Sequence, residues 1–144
     1  MRVVVDTNTI VSGLLWYGNP RRVLDAARAG TLQLYTTAAL LAEFEEVLQR
    51  PKFVQRLSLA GVTANTLVLG YASLARLVEP AELTPVILAD RDDDAVLACA
   101  LAARAEIIVS GDSHLLDLKD YKGIFIVTAA HLLTRITPEQ SDAT

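Results

Sequence analysis

Arg2-Val3-Val4-Val5-Asp6-Thr7-Asn8-Thr9-Ile10-Val11-Ser12-Gly13-Leu14-Leu15 is the stretch on which the reading of the fold turns. Three β-branched residues in a row, with no polar alternation, mark a strand buried on both faces, the kind found in the middle of a parallel sheet. An acid stands directly at its exit. Ligands of open α/β sheets bind beyond the carboxyl ends of the strands. Asp6 therefore either belongs to a site or caps the next element through its side-chain oxygen, for which Asp-Thr-Asn is well suited. Other acids in equivalent places decide between the two.

Working outward, Asn19-Pro20 reads as a helix start, Asn as cap and Pro at the first helical position, with a stop at Gly30. Leu32 to Tyr35 is a short strand. Thr36 or Thr37 caps a helix from Ala38 to Gln49 that Pro51 ends, and further helices run over Lys52–Leu59 and Thr63–Leu74. Arg76 to Val78 is read as a strand and Pro80 to Asp90 as a loop with an extended piece at Pro85–Leu88. A strongly helical block, Asp92–Arg104, precedes a buried-type strand at Glu106–Val109. Ser113–Leu118 is a short helix, Ile124–Val127 the last strand and Ala129–Arg135 the last helix. Alternating strands and helices predict an α/β fold with a mostly parallel sheet covered on both faces. Residues 1–136 form one domain in this reading, and 137–144 a polar C-terminal tail.

With 144 residues, 52% of them hydrophobic, the chain has a core that needs neither disulfide nor structural metal. Its one cysteine, Cys99, lies in an apolar helical run and is read as a small core residue. Asp6 and Asn8 interrupt the apolar opening, which excludes the core of a signal peptide, and no run has the length of a membrane span. A cytoplasmic protein is expected. The net charge of −4 argues at first against a polyanionic partner. However, acids bunched in short motifs that bind divalent cations reverse the sign of the local field. Arg21, Arg22, Arg50 and Lys52 are candidates for phosphate contacts, or else residues of solvated helix faces.

Val109-Ser110-Gly111-Asp112 repeats the logic of the opening, an apolar strand and then an Asp at its exit. Parallel strands put all such exits on one side, so Asp6 and Asp112 lie close if their strands are neighbours. Asp90-Arg91-Asp92-Asp93-Asp94 leads into Ala95 to Ala103. One acid there serves as the cap, but three in a row repel one another without a cation nearby. The helix is apolar on nearly every face, so periodicity does not choose among Asp92, Asp93 and Asp94, and Asp94 is favoured as the innermost. On the helix over residues 38–49 Glu43 sits at one margin of the apolar stripe and Glu45 at the other, with Glu43 favoured as nearer the helix start and so the sheet edge, while Glu46 points outward and is placed to pair with Arg50. Four carboxylates with no cysteine ligand suit a hard cation, Mg²⁺ or Mn²⁺. Such a cluster supports in-line phosphoryl displacement by water, with no side-chain nucleophile.

The order of these motifs resembles the PIN-domain ribonucleases. Val-Val-Asp-Thr-Asn with Val-Ser-Gly-Leu-Leu behind it, Glu43 in Leu-Leu-Ala-Glu-Phe-Glu-Glu-Val-Leu, the Asp-Asp-Asp-Ala-Val-Leu-Ala-Cys-Ala block and Ser-Gly-Asp-Ser-His-Leu-Leu follow in that family's order. The resemblance covers Met1 to about Ile136, and within the family it points to the toxins of bacterial toxin–antitoxin pairs, the VapC-type toxins. It implies a three-layer α/β/α sandwich, a Mg²⁺- or Mn²⁺-dependent endoribonuclease, a cognate antitoxin protein that covers the site, and a homodimer. By motif position Asp6, Glu43, Asp94 and Asp112 carry over as the catalytic quartet, with Asp6, Asp94 and Asp112 on the metal and Thr7, Asn8 and Ser110 in support. The family more often has Thr where Ser110 stands, which keeps the hydroxyl.

Two other readings stay open. A phosphatase of the haloacid-dehalogenase kind uses an Asp after the first strand as nucleophile, here Asp6, but wants a second Asp two residues on, where this chain has Asn8. A non-catalytic module that binds RNA or protein needs the acids only for structure.

Overall fold

The computed structural model describes residues 1–82 and 91–142, with side chains described up to Glu82 and from Asp93 to Ile136. In chain order the elements are β1 (Arg2–Val5), α1 (Thr7–Leu15), α2 (Asn19–Arg28), β2 (Gln33–Thr36), α3 (Ala38–Leu48), α4 (Pro51–Ala60), α5 (Ala64–Leu74), β3 (Arg76–Leu77), α6 (Arg91–Ala103), β4 (Ile107–Val109), α7 (Ser113–Leu118), β5 (Asp120–Tyr121), β6 (Ile124–Val127) and α8 (Ala129–Asp142). The strands form one sheet in the order β3-β2-β1-β4-β6-β5. All neighbours are parallel except β5 with β6.

The alternation of side chains along a strand explains the three layers. Val3 and Val5 of β1, with Ile107 and Val109 of β4, face a core built with α1, α2, α3, α5 and α8. Val4 and Ile108 face the opposite core, where Val96, Leu97, Cys99 and Ala100 of α6 meet Leu115 of α7. Both central strands are thus covered on both sides, which is why they read as unbroken apolar runs. The result is the expected α/β/α sandwich.

Chain direction positions the site. From β1 the chain winds outward through β2 to β3, then returns across the sheet to lay β4 on the other side of β1. The exits of β1 and β4 therefore form the switch point of the sheet, where neighbouring connections leave in opposite directions and open a crevice. Val5 pairs with Val109, so Asp6 and Ser110 leave the sheet side by side.

Several local expectations are corrected. Gly18, not Asn19, is the cap residue of α2, at φ 144°, and no side chain caps that helix. Pro51 opens α4 as well as closing α3, since its missing N–H is harmless in a first turn. The strand β5 was not anticipated. It returns through Lys122-Gly123, both at positive φ, the backbone of a tight hairpin turn without its usual Asn-Gly or Asp-Gly signature. The last helix continues to Asp142, through residues read as a tail. The extended piece expected at Pro85–Leu88 lies outside the described residues. No single described helix is long and apolar enough to cross a membrane.

Candidate active site

Asp6 is 7% exposed, and both oxygens of its carboxylate are held. Oδ1 accepts the Thr9 amide at 2.9 Å, which caps α1, and Oδ2 accepts the Ser110 hydroxyl. Capping and membership of a site, set against each other as alternatives for this residue, coexist. The Ser110 Oγ accepts in turn the Asp112 amide at 2.9 Å. Asp112 caps α7 by accepting the His114 amide at 2.7 Å through Oδ1, and the His114 Nδ1 lies 3.8 Å from that same oxygen. One hydroxyl, almost fully buried, thus ties the exit of β1 to the exit of β4.

Around these groups lies a cavity of about 230 Å³ lined by Asp6, Thr7, Asn8, Glu43, Val47, Arg50, Asp93, Val96 and Asp112. Three of the four acids named from the sequence, Asp6, Glu43 and Asp112, meet there. The fourth place is taken by Asp93, where the sequence reading favoured Asp94. The helix explains the difference. Asp93 precedes Val96, Leu97 and Ala100 by three, four and seven residues, the spacing of one helical face. That face is buried, with Asp93 itself 6% exposed, whereas Asp94 is rotated toward the margin and is half-buried. The signal that identifies Asp93 was present in this spacing, but every residue from Ala95 to Ala103 is apolar or small, so the spacing does not single out one face.

His114, exposed at the start of α7, reaches the acids from the surface. Ligand atoms of Asp93, Asp112 and His114 lie within 4.8 Å of one another. A second cavity, of about 290 Å³, shares Asp6, Asn8 and Asp112 as a common wall and continues past Thr9, Ser12, Pro20 and Gly111. The centre is thus open on two sides.

The donor set fits a hard divalent cation. Acids from α3, α6 and the exits of β1 and β4 line one polar space, with Asp93 and Asp112 near enough to share an ion, and at about 30 Å³ per water that space holds a hydrated ion. The Thr7 hydroxyl on the cavity wall is buried with no hydrogen-bond partner among the described residues, and so is available to a water on such an ion. Repulsion among the acids also falls when a cation enters.

The basic candidates separate. Arg50 lines the acidic cavity, and the expected Glu46–Arg50 pair is not formed: Arg50 lies beyond the end of α3 and serves as the cap residue of α4. Arg21 is committed to the end of α1, donating to the carbonyls of Gly13 and Leu14 at 3.1 Å each. Arg22 lines a different cavity, between α2 and α8. Cys99 is fully buried, and burial pushes its thiol up to about 12, in keeping with a core residue.

A family model described as PIN domain matches residues 2–114, from β1 into α7, so the matched segment contains all the acids of the cavity. No curated protein matches the chain.

Proposed function

Because the chain belongs to the PIN-domain family, whose members are generally nucleases, we propose that it is a metal-dependent endoribonuclease that hydrolyses internal phosphodiester bonds of RNA. The observation that carries this reading is the meeting of Asp6, Glu43, Asp93 and Asp112 on one cavity at the switch point of the sheet.

Asp6, Asp93 and Asp112 are the residues that would hold Mg²⁺ or Mn²⁺. When bound, such an ion supplies a Lewis acid for a phosphate oxygen and eases deprotonation of water. The chain's own groups do the rest. Ser110 and the Thr9 amide fix the carboxylate of Asp6, so its position is set before any ligand arrives. Glu43, half-buried on the cavity wall, receives the proton of the attacking water. The water oxygen forms the new bond to phosphorus, the bond to the leaving ribose oxygen breaks in line with it, and that oxygen takes a proton from solvent. Arg50, a cation on the cavity wall, steadies a phosphate of the scissile or adjacent nucleotide.

The order of sequence motifs supports a finer reading: the protein is the toxin of a toxin–antitoxin pair, a cytoplasmic homodimer whose antitoxin covers the cleft. Induced expression is then expected to arrest growth, and Asp112→Asn to relieve the arrest.

The test is cleavage of a panel of single-stranded and structured RNAs by the purified protein with Mg²⁺ or Mn²⁺, with the cut ends mapped. Asp6→Asn and Asp112→Asn are expected to stay folded by circular dichroism and to lose cleavage, as does the parent protein in a chelator. Cleavage by either variant at the parent rate would refute the assignment.

A further inference from the structure

We infer that a cationic and aromatic strip along α4 and the end of α1 is the track on which single-stranded RNA lies as it enters the acidic cavity. The inference rests on the nuclease reading above and extends it to substrate class and path.

The strip starts at Arg50, on the cavity wall. Two residues on, the Lys52 ammonium lies 4.8 Å from the centre of the Phe53 ring. Phe53 makes an edge contact with Trp16 at 6.0 Å, and the Arg56 guanidinium sits 5.3 Å over the Trp16 ring while donating to the Leu15 carbonyl at 2.9 and 3.0 Å. Next to Trp16, the Tyr17 ring is 88% exposed, with Arg21 4.2 Å over it. From Arg50 to Arg56 the chain rises about 9 Å along α4, and the contacts from Lys52 through Phe53 and Trp16 to Arg56 run without a break.

Three features favour RNA over a protein partner. First, the two exposed rings, Trp16 and Tyr17, each stand beside a cation, Arg56 and Arg21, while the buried Phe53 anchors the strip to the core; stacking faces next to positive charge are the pattern that holds single strands without reading their sequence. Second, none of these cations pairs with a carboxylate among the described residues, and α4 itself contains no acid. Lys52 and Arg56 stand one turn apart on the same helix, a like-charge placement that costs stability and that an anionic backbone relieves. Third, the chain is acidic as a whole and its centre is a group of carboxylates, which repel phosphate. A strand of RNA needs positive charge near the cleft to be held there, and at physiological salt it must lie within about 8 Å to be felt. Arg50 lines the cleft, and Lys52 follows it by two residues.

The experiment measures binding apart from cleavage. A labelled single-stranded RNA of mixed sequence and a duplex of the same length are titrated with Asp112→Asn protein, and with the same protein carrying Tyr17→Ala or Lys52→Ala, by fluorescence anisotropy at several salt concentrations. Both added changes are at exposed side chains. Tyr17→Ala is expected to weaken binding of the single strand about tenfold, with a smaller effect on the duplex. Lys52→Ala is expected to lower the slope of log affinity against log salt by about 0.7. Single-strand affinity and slope unchanged in both variants overturn the track while leaving the nuclease reading intact. If, in addition, sedimentation shows that Tyr17→Ala abolishes self-association, the surface is a protein contact. RNA that is neither bound by Asp112→Asn nor cut by the parent protein removes the nuclease reading and the track together.

Discussion

The Ser110 hydroxyl donates to Asp6 across the junction of two parallel strands, 104 residues apart in sequence. The same oxygen accepts the Asp112 amide, so a single side chain sets the positions of two carboxylates. Ser110→Ala leaves one oxygen of a buried carboxylate without its donor. The expected result is a loss of stability of about 1–3 kcal/mol and a divalent-ion affinity weakened about 10–100-fold, read by calorimetric titration with Mn²⁺. Ser110→Thr, which keeps the hydroxyl, is expected to restore most of the affinity. Unchanged affinity in Ser110→Ala would show that Asp6 needs no such support.

Asp93 and Asp94 are neighbours with opposite expected importance. Asp93→Asn is expected to reduce Mn²⁺ affinity and RNA cleavage as severely as Asp112→Asn, because its carboxylate lines the cavity. Asp94→Asn is expected to keep a substantial part of both. The reverse ranking would mean that α6 turns its first residues differently when the ion is bound.

Tyr71 packs edge-on to Phe44, with ring centres 5.9 Å apart, and its hydroxyl is buried with no hydrogen-bond partner among the described residues. Burial raises its ionisation well above the ordinary value of 10, and negative charge at Cys99 and Asp6 raises it further. Tyr71→Phe removes a desolvated hydroxyl that makes no bond, so the variant is expected to be as stable as the parent or up to about 1 kcal/mol more stable. A thermal melt that drops by several degrees would reveal a bond that the hydroxyl makes in solution.

Cys99 gives stability a definite alkaline limb. Its folded value of about 12 stands above the ordinary 9.0, so between those values the unfolded chain has released a proton that the folded chain retains. Stability therefore falls as pH rises from about 9 toward 12, at up to about 1.4 kcal/mol per pH unit from this group. Below pH 9 its contribution is fully present. Cys99→Ala is expected to flatten that limb, measured by urea unfolding at pH 8 and pH 10. Equal slopes in parent and variant would count against it.

Gly13 lets α1 lie close against α2. A Cβ at this position would lie 2.9 Å from the Pro20 carbonyl oxygen and 2.8 Å from Leu24 Cδ1. A backbone oxygen does not yield as a side-chain end does. Gly13→Ala is expected to destabilise the protein by about 1–3 kcal/mol, and a melting temperature equal to that of the parent would show that the two helices separate freely.

What the sequence revealed follows from how strongly each feature is written in side-chain chemistry. Val3–Val5 and Ile107–Val109 are buried on both faces, so their runs announce a central parallel sheet, and the acids at their exits follow from chain direction alone. The cap of α3 was legible to within one residue, Thr36 or Thr37, because a hydroxyl ahead of an apolar run has a local function, and Thr37 is the one that serves; Thr63, read as the first helical residue, is the cap of α5. The phase of α6 was not. Apolar residues surround that helix almost completely, so only the packing of Val96, Leu97 and Ala100 against the sheet decides which Asp turns inward. The strand β5 was missed for a different reason: two residues carry no periodicity, and Lys122 does not advertise the backbone it adopts. The placement of Arg50 depended on where α3 stops: it ends at Leu48, one residue before the expected Gln49, and Arg50, as the cap residue of α4, faces the cavity instead of Glu46.

The seam between β1 and β4 also bears on synthesis. Asp6 leaves the ribosome early, but the strand beside which it must settle, with Ser110 and Asp112 at its end, is translated a hundred residues later. A growing polypeptide therefore has only Asp6 and Glu43 of its acidic pocket in hand until α6 and β4 have followed, and the carboxylate of Asp6 waits for the hydroxyl that will hold it.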